Sequence, residues 1–198
     1  MTQVELDTLK PFDELLEPDS RQKHFAVVNR MTGEVRSVTL RDRYQSIEQI
    51  MLTKDVPDEI REHFDTARNL LVYSWFVYRF NQVAELHAFS SLEFALKTKF
   101  GDSPKGLKKL LEEAVGLGLI TDSGFRYFRP VADEVMPDDE AGSGNPDAKD
   151  VQVYCKTLID TLPFMRNELA HGSQMLHPNG LTTLEIVADF INQLFERK

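Results

Sequence analysis

The sequence is poor in the residues that build cross-linked, membrane-spanning or thiolate-metal proteins. Its 198 residues contain one cysteine, Cys155, so the chain cannot form an internal disulfide or a thiolate cluster for a metal. No apolar run approaches the roughly 18 residues that a membrane-spanning helix needs. The first residues are acidic, whereas a signal peptide is basic and then apolar. We therefore expect a soluble, cytoplasmic protein without membrane contact.

Several motifs of common enzyme classes are also missing. The chain has no glycine-rich phosphate loop, no HExxH and no GxSxG. Basic residues are in the minority, since 23 Lys and Arg against 32 Asp and Glu give a net charge of −9. This balance excludes an evenly basic nucleic-acid-binding surface but permits a local patch.

A local basic patch does occur in the middle of the chain. Within residues 97–109, one aspartate accompanies five lysines: Lys97, Lys99, Lys105, Lys108 and Lys109. The patch is compatible with binding of RNA phosphates, or with an ordinary solvated helix face. Glu93 lies four residues before Lys97, a spacing that favours an ion pair between them on a helix surface.

The pattern of residues divides the chain into three parts. Residues 1–22 form an acidic leader, and residues 23–54 read as a β-ribbon appendage built from two β-rich segments around a glycine turn. Residues 55–198 carry helical periodicity. Within them, residues 133–150 hold seven acids and one lysine among Gly, Pro, Ser and Asn, which predicts a mobile loop.

Apolar spacing in the third part predicts an all-α fold. One helix face is formed by Ile60, Phe64, Ala67, Leu71, Trp75 and Tyr78. The next helix carries a stripe of small residues, Ala84, Ala88, Ser91 and Ala95, that lets another backbone come close. Pro163 predicts a kink or a new helix start, and Thr182 with Glu185 predicts a capping box. We expect an antiparallel bundle of four or five helices with a small N-terminal β-hairpin.

A compact polar motif lies near the end of this domain. Arg166, Asn167 and His171 form the pattern R-N-x-x-x-H, followed at once by Gly172. Glu168 and His171 match one Glu-x-x-His element of di-iron bundles, but such a site needs a second pair, which the sequence lacks. Five helical steps place Arg166 and His171 about 140° apart, so they do not share one face.

The segment RNELAHG resembles the R-x4-6-H signature of HEPN domains, in which a polar residue often follows the arginine. The run from Val56-Pro-Asp-Glu-Ile through Ala84, Ala88 and Ser91 is similar to the first two helices of prokaryotic members. The resemblance covers roughly residues 55–196 and leaves out the N-terminal ribbon.

This resemblance implies RNA cleavage without metal or cofactor, often in toxin–antitoxin or antiphage systems. Two protomers would form one composite site, with Arg166 as phosphate stabiliser, His171 as general acid and base, and Asn167 in support. The implied partners are RNA, a second copy of the chain, and an antitoxin or defence protein. The face formed by Ile159, Leu162 and Arg166 is the predicted dimer contact.

Two simpler interpretations stay open. His171 before a glycine also fits a helix C-terminus, where a cation complements the dipole, and Arg166 fits an ordinary ion pair. The acidic balance of the chain, which has no large basic surface beyond residues 97–109, favours an alternative function: a non-catalytic interaction module that keeps the helical dimer and binds a protein or nucleotide.

Overall fold

A computed structural model describes residues 8–101, 104–128, 152–173 and 176–196. Within these ranges the chain forms six α-helices and one two-stranded antiparallel ribbon, which confirms an all-α fold with an N-terminal hairpin. No helix in them is both long and apolar enough to cross a bilayer. The acidic segment 133–150 lies outside the described residues, so its predicted mobility stays a prediction.

The N-terminal region contains a helix that the ribbon interpretation of residues 23–54 did not include. Strand β1 (Ala26–Val28) pairs with β2 (Val35–Ser37), and helix α1 (Leu40–Glu48) follows directly. Thr39 and Asp42 begin α1 through a reciprocal capping box, in which each side chain accepts the backbone N–H of the other. The Thr-x-x-Asp pattern is the sequence signal for this helix start.

The leader is attached to the helical core. The backbone N–H of Asp19 donates to the Trp75 carbonyl at 2.9 Å, and the Asp19 carboxylate accepts from the Tyr78 N–H at 3.1 Å. The buried Gln22 amide donates to the Ser74 carbonyl at 3.1 Å. These bonds satisfy backbone groups of the turn between helix α2 (Asp58–Tyr73) and helix α3 (Phe80–Phe100), so the end of the leader stabilises that turn.

Helix α3 (Phe80–Phe100) is the central element of the core. It packs against α2 (Asp58–Tyr73), α4 (Leu107–Gly116), α5 (Val153–Ala170) and α6 (Gly180–Phe195). All four members of its small-residue stripe are fully buried, which fits the close helix approach that the sequence predicts: Ala84, Ala88, Ser91 and Ala95.

The predicted capping box at Thr182 is wrong. Helix α6 begins at Gly180, and no side chain caps it. The carboxylate of Glu185 accepts instead from the Tyr127 hydroxyl and from Arg126. Arg126 also binds Asp189 through its backbone N–H and its guanidinium, so the segment after the short 3-10 helix Asp122–Gly124 is fixed to α6.

One carboxylate is buried in this core without a basic residue in hydrogen-bond contact. Glu85 on α3 is fully buried, and one oxygen accepts from the Thr183 hydroxyl at 2.9 Å. The other oxygen lies 3.4 Å from Nδ1 of His177, and neither of these two atoms has a hydrogen-bond partner. Burial raises the pKa of Glu85 from 4.5 to about 7. The protonated carboxyl is therefore the form that the fold favours.

Glu85→Gln is expected to flatten the dependence of stability on pH. Because the folded-state pKa of Glu85 is raised, its contribution to the free energy of unfolding is fully present below about pH 4.5. That contribution is lost as the pH rises through about 7. The loss in the native protein amounts to at most about 3 kcal/mol of unfolding free energy at alkaline pH. Urea denaturation at about pH 5.5 and about pH 8.5 measures it. Parallel pH profiles for both proteins would contradict this assignment.

Candidate functional site

The motif lies on α5, whose start is fixed from a distant part of the chain. The Asp122 carboxylate accepts from the backbone N–H groups of Tyr154 at 3.0 Å and Cys155 at 2.7 Å, which satisfies donors of the first turn. The helix then continues through Pro163 to Ala170. No second helix begins at Pro163, so the predicted new start is not found.

Helix α5 ends at His171 in a glycine cap. The His171 N–H still donates to the Asn167 carbonyl at 2.9 Å, so helical geometry extends to His171. Gly172 has a φ of +84°, which side-chain-bearing residues rarely adopt. The Ser173 N–H returns to the Glu168 carbonyl at 3.0 Å, which completes a Schellman motif. The end of helix α5 therefore explains why a glycine follows His171.

Arg166 forms a two-point ion pair with Glu93 of α3. Its Nε lies 2.8 Å from Oε1 and its Nη2 lies 3.3 Å from Oε2 of that carboxylate. A third contact, from Nη1 to Oδ1 of Asn167, measures 3.3 Å. The ion-pair interpretation of Arg166 is thus correct for this structure. The predicted pair between Glu93 and Lys97 is absent among the described contacts.

A cleft of about 630 Å³ opens beside this ion pair. It lies between α3, α5 and the start of α4, and it brings together two parts of the sequence that were predicted separately. Its charged and polar lining consists of Arg166, Asn167, Lys97, Lys105, Lys108, Lys109, Glu93 and Glu112. Five cations against two carboxylates make the cleft locally positive in a chain of negative net charge.

The lysines of the cleft differ in their partners. Lys105 pairs with Glu113 at 2.8 Å, and Lys108 pairs with Asp160 at 2.7 Å. Neither Lys97 nor Lys109 has a hydrogen bond or an ion pair with any residue that the structure describes. These two ammonium groups are therefore the most available to an incoming anion.

Lys99 does not belong to this site, although the sequence grouped it with the other four. It does not line the cleft, and its ammonium group lies 5.4 Å from the centre of the Phe195 ring on α6. Two residues along a helix correspond to a rotation of about 200°, so Lys97 and Lys99 face different neighbours.

His171 is not brought together with Arg166 in the single chain. It is exposed, it does not line the cleft, and its ring makes no hydrogen bond with any described residue. The regular helix keeps the offset of about 140° between the two side chains. Asn167 lies between them in rotation, and it is both exposed and part of the cleft.

The predicted dimer face is wrong. Ile159 and Leu162 retain 6% and 3% of their accessible surface, because they pack into the core of their own chain. The exposed face of α5 carries Thr157, Thr161, Phe164, Glu168 and His171. Phe164 is the large apolar residue of that face, with 66% of its surface accessible.

The sequence pointed to Glu93 only as a partner of Lys97 and did not reveal its ion pair with Arg166. Glu93 lies 73 positions before Arg166, and no local pattern links the two residues. Within the described ranges, no group of three or more His, Cys, Asp and Glu side chains is arranged to hold a metal ion. Compared with known proteins, the chain matches no family model, no curated protein and no solved structure.

Replacing Lys97 and Lys109 by Gln is expected to weaken binding of single-stranded RNA. Because each cation that the cleft loses lowers the salt dependence of a single-strand complex by about 0.7, the slope of log affinity against log salt should fall by about 1.4. Fluorescence anisotropy over a salt series measures it. The matched control replaces Lys54 and Lys99, which removes the same charge outside the cleft. Equal losses in both double variants would mean that the cleft is not the binding surface.

Proposed function

We propose that this chain is a metal-independent endoribonuclease of the HEPN type that acts as a homodimer, in toxin–antitoxin or antiphage defence. The cleft is the observation that supports this best, because it gathers Arg166 and Asn167 with four lysines from elsewhere in the sequence. In a ribonuclease site, cations hold successive phosphates, and a guanidinium can bind two oxygens of the phosphate that reacts.

The proposed reaction uses the substrate's own nucleophile. A ribose 2′-hydroxyl attacks the adjacent phosphorus and gives up its proton to a base, while the 5′-oxygen leaves with a proton from an acid. The products carry a 2′,3′-cyclic phosphate and a free 5′-hydroxyl. His171 would move these protons, because an imidazole can accept a proton at one nitrogen and donate one as an acid. Arg166 would bind the charge that develops on the phosphate, and Asn167 would orient it.

The separation of Arg166 from His171 supports a composite site. A second α5 helix packed across the exposed face would add another His171 next to the cleft edge at Asn167. In a two-fold dimer, the same patch lies on both partners. Phe164 lies seven residues before His171 on that face, nearly above it on the helix, and its exposed ring offers apolar surface for such a contact.

One observation favours the alternative function, a non-catalytic interaction module. Glu93 already occupies two donors of the Arg166 guanidinium, which weakens its attraction for a phosphate. In a module, the same cleft would bind an anionic partner without reaction. The two functions share the surface and differ in whether bound RNA is cut.

Protein treated with EDTA is expected to cut single-stranded RNA into fragments that end in 2′,3′-cyclic phosphate. His171→Ala should lower the rate by about 10²–10⁴-fold, the usual contribution of a general acid or base. Mass spectrometry of the fragment ends measures the product. His24→Ala, which removes an exposed histidine at the end of the short 3-10 helix Ser20–His24, is the matched control. Cleavage that needs added metal would contradict the mechanism, and RNA that is bound but left intact would favour the module.

Phe164→Glu is expected to dissociate the dimer and abolish cleavage while helicity is kept. A charge at a two-fold contact is placed opposite its own copy, so one substitution acts twice. Leu117→Glu is the control, because Leu117 is exposed to a similar degree, 64%, after the end of α4. Light scattering at micromolar concentration, together with circular dichroism, measures both properties. A monomer that still cuts RNA would overturn the composite site.

A further inference from the structure

Two nitrogens of the Arg166 guanidinium, Nε and Nη2, form a fork that already binds Glu93 in the way it would bind a phosphate. These nitrogens face the two oxygens of one carboxylate, Nε to Oε1 at 2.8 Å and Nη2 to Oε2 at 3.3 Å. Parallel contacts of this kind are the arrangement that guanidinium groups make with phosphate oxygens. A phosphate that binds Arg166 through this fork must therefore displace Glu93.

The displaced carboxylate would have a second partner one helical turn away. Lys97 follows Glu93 by four residues on α3, lines the same cleft and makes no ion pair within the described chain. A glutamate four residues before a lysine is the favourable order for a helix-surface pair. Lys105 and Lys108 offer no equivalent alternative, because carboxylates of α4 and α5 already bind them.

We propose that Glu93 is a switching residue, which holds Arg166 in the free protein and moves to Lys97 when a phosphodiester takes its place. This inference rests on the proposed function, and it specifies how access to the same site is regulated. In the closed arrangement the guanidinium is neutralised by Glu93. In the open arrangement Lys97 receives that carboxylate, and Arg166 presents its fork to the ligand.

The switch predicts a measurable cost for every anion that binds Arg166 through the two nitrogens that Glu93 occupies. The apparent affinity of a ligand is lowered by the fraction of protein in the open arrangement. Weakly held anions with one accessible oxygen would not exchange with Glu93, whereas a phosphodiester replaces both of its contacts. The ion pair therefore favours ligands that present two oxygens to the guanidinium.

Glu93→Gln is expected to tighten binding of a short 2′-O-methyl oligouridine by about fivefold, the factor that corresponds to release of a partly exposed ion pair. This probe cannot be cut by 2′-hydroxyl attack, so binding is measured apart from cleavage. Glu112→Gln is the matched control, because it removes a carboxylate from the same cleft that does not bind Arg166. Its gain should be smaller, and in an Arg166→Ala background the two variants should become equal.

A second pair of variants tests the role of Lys97. Lys97→Met and Lys109→Met each remove one unpaired ammonium group from the cleft. In the native background Lys97→Met should lower the affinity more than Lys109→Met, because Glu93 loses its alternative partner. In the Glu93→Gln background this difference should disappear, since no carboxylate remains to be moved.

The outcomes separate the switch from the ribonuclease activity. Affinity changes as expected without any RNA cleavage would support the switch and refute the catalytic function. Cleavage that depends on His171 with equal effects of Glu93→Gln and Glu112→Gln would overturn the switch alone. Glu93→Ala serves as the second variant, and circular dichroism shows that each variant is folded. A loss of affinity in both folded Glu93 variants would assign Glu93 a merely structural role and overturn the proposal.

Discussion

The close packing of α3 against α2 and α6 is the contact on which the helical core depends. It depends on a row of small side chains, Ala84, Ala88, Ser91 and Ala95, which are all fully buried. Larger residues at these positions would separate the helices and leave cavities elsewhere. Because α3 is central, it presents Glu85 to the core and Glu93 with Lys97 to the cleft. The candidate site is thus a consequence of how one helix is buried.

The features that were predictable from sequence are those with a local cause. Helix α2 follows apolar periodicity as far as Tyr73, short of the predicted Trp75 and Tyr78, and the buried stripe of α3 follows from its small residues. Local patterns also gave a wrong prediction. Thr182 and Glu185 have the spacing of a capping box, but the Glu185 carboxylate accepts hydrogen bonds from Tyr127 and Arg126 instead. When a side chain has two possible partners, tertiary contacts determine which one it binds. Spacing along the sequence carries no information about those contacts.

The candidate site was predicted in two pieces, and only the fold joins them. The motif supplied Arg166 and Asn167, and the basic patch supplied four of its five lysines. Their common cleft could not be foreseen, because it depends on how α5 is placed against α3 and α4. The face of Ile159 and Leu162 shows the same limit, since periodicity identifies an apolar stripe without saying whether it meets its own core or another chain.

Under the proposed function, the cleft would attract anions mainly through exchange of partners, because few of its charges are free. Of its five cations, Arg166, Lys105 and Lys108 are already paired with carboxylates. Coulomb attraction between exposed groups is weak and screened by salt, so the two unpaired lysines alone would hold a polyanion loosely. Tight binding therefore requires a ligand that replaces several carboxylates together. A flexible chain of phosphates meets this requirement better than a single small anion. Once its first phosphate is bound, the next ones bind within the same complex, at a high effective concentration.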